Sequence, residues 1–276
     1  MAIKRIFIFL LLMVGHSALA QDADVKQIIQ QIEHANSGER IRSVCSYYDS
    51  NVHSRNPEAF DNFLTECYRI AERDNDGDFR AYLDFYKKIR TVIRIPDDDP
   101  RVRETKMPKL MEEALAYYQA MGDEHFITLC NAYIGHYHFI LKDYEKSLEK
   151  LLIADDGFRK IGYNKFPDIG KHLHNMALVF FFFRDYDKVA ELMEISAQTP
   201  PYNNNLHIQR YNTLGAAYTD LKQYEKAENA FIKTKETAMV YRDTFWIALA
   251  AQNVANIYLE KGKYPEALQV YESNLK

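Results

Sequence analysis

Apolar and polar residues recur along this chain with a helical rather than a strand period. In the N-terminal third, Phe60, Phe63, Leu64, Cys67 and Tyr68 share one face of a helix, and Phe79, Tyr82, Leu83, Tyr86 and Ile89 share the face of a second. Further on, a longer pattern returns. It runs Asn131-x2-Ile134-Gly135-x2-His138 with Ser147-x3-Leu151, then Leu173-x2-Met176-Ala177-x2-Phe180 with Val189-x3-Met193. It continues as Tyr211-x2-Leu214-Gly215-x2-Tyr218 with Ala227-x3-Phe231, and as Ala251-x2-Val254-Ala255-x2-Tyr258 with Ala267-x3-Tyr271. Each unit places a small residue, Gly135, Ala177, Gly215 or Ala255, where two helices must approach closely, with large apolar residues around it to fill the seam. Turns such as Leu221-Lys222-Gln223 and Lys261-Gly262-Lys263 separate the helices. The second helix of each pair is predicted to open on a tyrosine, at Tyr144, Tyr186, Tyr224 and Tyr264, intervals of 42, 38 and 40 residues.

These residues resemble the tetratricopeptide repeat (TPR) family over about residues 128–276, in a long-period form, since the common repeat is about 34 residues. The resemblance implies an all-α fold, a right-handed superhelical solenoid of antiparallel helix pairs. It also implies a role in binding peptides or partner proteins along an inner groove. Upstream, Arg101 to Met121 reads as the second helix of a worn repeat with Pro108 near its start, and Gly122 and Phe126 stand 40 residues before Gly162 and Phe166. Residues 21–100 are read as an N-terminal helical capping region, since terminal repeats are atypical. The Pro96-Asp97-Asp98-Asp99-Pro100 segment is the helix breaker before a solenoid of about four and a half repeats over 101–276. The last of these repeats has no polar cap, which leaves an apolar face for self-association or for continuation of the chain.

Residues 1–20 read as a secretory leader: Lys4 and Arg5 precede the apolar run Ile6 to Val14, and Ala18-Leu19-Ala20 supplies the small residues of a cleavage site. Export, with the bacterial periplasm as destination, is the expectation. Loss of Lys4 and Arg5 takes the formal charge from −4 to −6, a balance that argues against nucleic acid and anionic membrane as partners. Cys45, Cys67 and Cys130 are an odd number; Cys45 and Cys67 are either bridged or buried as small hydrophobes, and their apolar neighbours at helical spacing favour the second.

Candidate chemistry is sparse. Asp74, Asp76 and Asp78 around Gly77 resemble the start of a calcium loop, but a loop from Glu72 ends at Leu83 where a bidentate carboxylate is needed. His136 with His138 and His172 with His174 are two apart, so neither pair has the i, i+4 spacing of a helical zinc site. No nucleophile elbow, zinc-protease motif, P-loop or dinucleotide turn occurs, so neither catalysis nor a cofactor is expected. The run Phe180 to Phe183 has two readings: burial between repeats, or Phe181 and Phe182 lining the groove with Phe139 as an apolar patch. The remaining groove candidates, on first-helix positions away from the seam, are His136, Lys171, His174, Gln209, Asn212, Thr219, Gln252 and Asn256. Asn and Gln there suit an extended peptide backbone, because each both donates and accepts. The function expected is a non-enzymatic binder of protein or peptide. The rivals are the sensory region of a longer signalling protein, and an enzyme or metal-binding protein within the N-terminal half.

Overall fold

A computed structural model describes residues 22–51, 57–90 and 100–274. The proposed leader, residues 96–99 of the helix breaker and the last two residues lie outside the described residues. Thirteen α-helices fill what is described: α1 (Asp22–His34), α2 (Ser37–Asn51), α3 (Pro57–Arg73), α4 (Gly77–Arg90), α5 (Pro100–Met121), α6 (Glu124–Ile140), α7 (Tyr144–Ile161), α8 (Ile169–Phe182), α9 (Tyr186–Ala197), α10 (Asn204–Asp220), α11 (Tyr224–Val240), α12 (Thr244–Glu260) and α13 (Tyr264–Asn274). The fold class is all-α, as the helical period predicts. Pro108 does not start a helix; it lies within α5, which opens on Pro100, a residue suited to the first helical position because its missing N–H would be unpaired there anyway.

The chain divides into two compact units, the first ending at Leu83 and the second starting at Asp84, so the division falls inside α4. In the first unit α1 packs on α2 and α3. Its core holds Ile32, Ile41, Cys45, Tyr48, Phe63, Cys67, Ile70 and Phe79, with the Tyr47 and Phe63 rings 4.1 Å apart. No disulfide joins Cys45 and Cys67, which are both fully buried here, and burial pushes the Cys67 thiol well above its ordinary range. The acidic turn after α3 is held by a buried arginine. Arg40 donates to Asp76 at 3.0 Å and to Asp74, while its Nε donates to the Ile32 carbonyl at 3.0 Å. Asp76 also caps α4, accepting from the Phe79 amide at 3.1 Å. Arg73 and Arg40 together hold the Asp74 carboxyl well below the usual carboxylate range.

In the second unit the helices pair consecutively as α6/α7, α8/α9, α10/α11 and α12/α13, with α5 against α6. The first helices also touch one another in the order α6, α8, α10, α12, which places them in one continuous layer. The second helices open on Tyr144, Tyr186, Tyr224 and Tyr264, as predicted. Within a pair the two helices meet at the small residues. A Cβ on Gly135 would lie 2.6 Å from Leu151, and one on Gly215 would lie 2.7 Å from the Phe231 ring. Ala177 and Ala255 hold the matching positions and are fully buried.

The turns inside the pairs share one device. Lys142, Arg184 and Lys222 adopt φ of 64°, 61° and 58°, the left-handed conformation that ends a helix, and Gly262 does the same in the last pair. The next residue then caps the following helix. Asp143 and Asp185 accept from the Lys146 and Lys188 amides, at 3.4 and 3.1 Å. Gln223 stands at the same position before α11 and makes no such bond.

Two measurements test this packing. Gly215→Leu is expected to overpack the α10/α11 seam and cost about 1 to 3 kcal/mol or more, read as a lower urea midpoint; an unchanged midpoint would sink the assignment. Gln223→Asp is expected to raise stability by about 0.5 to 1 kcal/mol, by supplying the cap that the neighbouring turns already have.

Candidate partner-binding face

The candidate residues fall into a buried group and an accessible group. His174 is 3% exposed and Asn212 is 0% exposed, and Lys171 is buried with them. Stacking of the first helices covers them, so these three side chains tie α6, α8, α10 and α12 together instead of lining a surface. Lys171 Nζ donates to the Tyr133 hydroxyl at 3.0 Å and lies over the Tyr133 ring, 4.6 Å from its centre. The hydroxyls of Tyr133 and Tyr86 are 3.2 Å apart. Asn253 donates to Asn212 at 2.9 Å, across from α12 to α10. His172 and Asp168 meet at 3.0 Å, both buried at the start of α8. Burial opposes ionisation of Asp168, yet the facing His172 and Lys171 outweigh it and hold the carboxyl below its ordinary range.

His136 is half-buried, with Nδ1 fully enclosed and no partner for it among the described residues; the same holds for Nδ1 of His174. Burial, with Lys171, His172 and His174 close by, pushes His136 down to about 4. Burial also pushes His174 down to about 4, although its hydrogen bond with Gln209 acts the other way. Both rings are therefore neutral at pH 7. His138 is buried in the α6/α7 seam, with Nδ1 3.3 Å from Asp143. Among the described residues no group of three or more His, Cys, Asp or Glu side chains is arranged to hold a metal ion.

The accessible polar candidates lie on α10 and α12. Gln209 and Thr219 are half-buried, and the Thr219 hydroxyl donates to the Gly215 carbonyl of its own helix at 2.8 Å. Gln252 and Asn256 are exposed, and Asn256 accepts from the Tyr271 hydroxyl at 2.9 Å.

The phenylalanine run is divided by its position at the end of α8. Phe180 is buried, Phe181 is half-buried against Tyr186 at 5.2 Å, and Phe182 and Phe183 are 44% and 42% exposed. Phe182 stacks on Tyr144 at 4.6 Å and meets Phe139 at 5.6 Å. Tyr144 opens a second helix and Phe182 closes a first one, so this aromatic cluster lies along the edge where the turns inside the pairs are found. Its member Phe139 stands one turn from His136 on α6, and Phe182 stands about two turns beyond His174 on α8. The sequence reading misses Tyr144 and Phe183 as members of the cluster, and Tyr133, Asp168 and His172 as members of the buried network. The tyrosine at each second-helix start was the available signal for Tyr144.

The two depressed histidines make stability depend on pH. Unfolded, each histidine titrates near 6.5, and folded near 4, so the unfolded chain binds more protons between these values. Stability is therefore full above pH 6.5 and falls as pH drops toward 4, by up to about 3 kcal/mol for His174. Urea midpoints measured from pH 7 to 4.5 check this: His174→Gln is expected to flatten the decline, and an equally steep decline would contradict it.

Comparison with known proteins agrees with this architecture. Residues 208–275 match the tetratricopeptide repeat family. No curated protein matches the chain. Among solved structures, the chain is similar to the nearly identical TPR-like repeats described for a Podosopora anserina kinesin light chain, with TM-score 0.56 and 14% identity over 69% of this chain and 93% of that one. It is also similar to a signal transduction ATPase with a tetratricopeptide repeat sensor from Pyrococcus horikoshii, with TM-score 0.57 and 16% identity over 91% and 38% of the two chains. The apo form of RapI gives TM-score 0.54 and 14% identity over 91% and 75%. The fold is that of a TPR-like helical solenoid, a scaffold suited to binding protein.

Proposed function

We propose that this protein is a non-enzymatic scaffold, exported to the bacterial periplasm, that captures a segment of another protein. The observation that carries the reading is the aromatic cluster of Phe139, Tyr144, Phe182 and Phe183, where two phenylalanines are more than 40% exposed on a scaffold of a protein-binding type. Clustered exposed aromatics on a folded protein mark interaction sites, and buried aromatics dominate interface energy. Gln252 and Asn256 add polar groups that suit a peptide backbone. Export rests on the leader-like residues 1–20. No helix among the described residues is long and apolar enough to cross a membrane.

A second reading is favoured by the similarity to the Pyrococcus horikoshii protein with a TPR sensor. In it, this chain is the periplasmic sensory region of a longer transmembrane signalling protein, a kinase or a transcription regulator. The reading frame after Lys276 separates the two.

The test of the first reading is capture from periplasmic extract by the parent protein and by the double variant Phe182→Ser, Phe183→Ser. Because both rings are largely exposed, helical CD and melting are expected to stay near the parent values while capture is lost. Capture at the parent level by a folded double variant would remove this edge as the site.

A further inference from the structure

We propose that the contact between α6 and α8 is an acid-operated latch: protons taken up by His136 and His174 beside Lys171 part these two first helices about the α7/α9 side, and the parting takes the aromatic edge apart.

The first support is what surrounds the two rings. His174 is buried, and Nδ1 of His136 and of His174 is enclosed with no partner among the described residues. From α8, Lys171 and His172 face His136. On α6, the Tyr133 hydroxyl accepts from Lys171 at 3.0 Å, Tyr137 stands 6.0 Å from the His136 ring, and His138 faces Asp143 at 3.3 Å instead. Tyr86 of α4 reaches the Tyr133 hydroxyl at 3.2 Å. From α10, Gln209 bonds His174 without bringing a charge, while Arg210 is turned to the Ser196 and Thr199 carbonyls. Glu112 and Glu113 of α5 face solvent. Asp168, the carboxylate at the start of α8, is engaged by His172 at 3.0 Å. A proton on either ring is therefore a further positive charge beside the Lys171 ammonium, and water reaches the charged ring when the helices part.

The second support is the opposite side of the same two pairs. Lys188 of α9 donates to Asp155 of α7 at 2.7 Å, and Arg159 of α7 is paired with Glu191 of α9. Burial opposes ionisation of Glu191, but Arg159 and Lys188 outweigh it and hold the carboxyl below its ordinary range, so Glu191 keeps its charge at pH 5. Acid thus acts on the first-helix side and spares this link on the second-helix side, which makes the second side the hinge. Pairs in a solenoid are joined by nearest-neighbour interfaces, so one interface can open while the pairs beside it stay folded.

The third support is the place of the latch. Phe139 stands one turn beyond His136 on α6, Phe182 stands about two turns beyond His174 on α8, and their rings meet at 5.6 Å. Helices that part at the histidines draw these rings apart. Each ring titrates at about 4 when the seam is closed and near 6.5 when water reaches it. At pH 5 each therefore favours the open form by about thirtyfold, and the two together by up to about a thousandfold, against less than about twofold apiece at pH 7. The consequence for capture rests on the aromatic edge being the capture site; the opening itself does not.

Two experiments on the whole protein, both without a partner, test this. In hydroxyl-radical footprinting at pH 7 and pH 5, Tyr133, buried in the latch, is expected to be labelled several-fold more at pH 5, while Phe231, buried in the α10/α11 seam, is labelled alike at both. His136→Gln with His174→Gln is expected to remove the difference at Tyr133; should that double variant fail to fold, His136→Gln alone, at a half-buried position, removes one ring's share. Phe182→Trp combined with Trp246→Phe puts the chain's one tryptophan at the edge, and its emission is expected to change with a midpoint between pH 4 and 6.5 that the histidine variants move lower. Labelling of Tyr133 that is equal at the two pH values, a rise shared by Phe231, or an emission change that the histidine variants leave in place would each overturn the proposal, and none of these outcomes bears on whether the edge captures a partner at pH 7.

Discussion

The close approach of the two helices within each pair is the constraint on which the second unit depends. Where Gly135 faces Leu151 and Gly215 faces Phe231, there is no room for even one further carbon. Helices this close leave little space between the layers, so the first helices must also stack directly on one another to enclose their remaining apolar surface. The left-handed residues Lys142, Arg184 and Lys222 reverse the chain quickly enough for the second helix to fall back onto that seam. The aspartate caps then satisfy amides that the tight turn would leave without partners. Seam, turn and cap are thus one solution to one packing problem, repeated along the chain.

Stacking has a cost at the polar positions of the first helices. Side chains that an isolated pair would present to water, such as His174 and Asn212, are covered once the next pair is added. They are tolerated because other polar groups reach them: Asn253 for Asn212, Gln209 for His174, and Tyr133 for Lys171. The histidines meet the same cost by staying neutral. What is left for a partner is consequently sparse and lies on Gln252, Asn256 and the aromatic edge.

The helix pairs were legible in the sequence because small residues in the seam and tyrosines after the turns recur at intervals that a reader can count. Features with no repeating counterpart were not. Gly157 lies on α7 against the Thr128 side chain, a close contact as tight as those at Gly135 and Gly215, yet neither residue belongs to the recurring motif. Arg40 reaches Asp74 and Asp76 across more than thirty residues, which local patterning of the acidic turn does not reveal. The exposure of Phe183 was missed for another reason. Helical periodicity gives the face on which a residue lies, but not where the helix stops. α8 ends at Phe182, so the last two rings of the run escape cover that Phe180 receives.

The buried polar network also answers a question that apolar seams leave open, namely which register the stacked first helices adopt. Leucine, alanine and phenylalanine surfaces tolerate sliding by a turn with modest loss, since dispersion and burial are not directional. A hydrogen bond is directional, and a buried polar group left without a partner costs about 1 to 3 kcal/mol. Sliding α8 against α6 would separate Lys171 from Tyr133, and sliding α12 against α10 would separate Asn253 from Asn212. Each slip leaves buried polar atoms without partners, while the apolar contacts largely re-form. The buried polar residues of the first helices therefore act as register marks for the solenoid, and it is this register that aligns Tyr144 beneath Phe182 to build the aromatic edge.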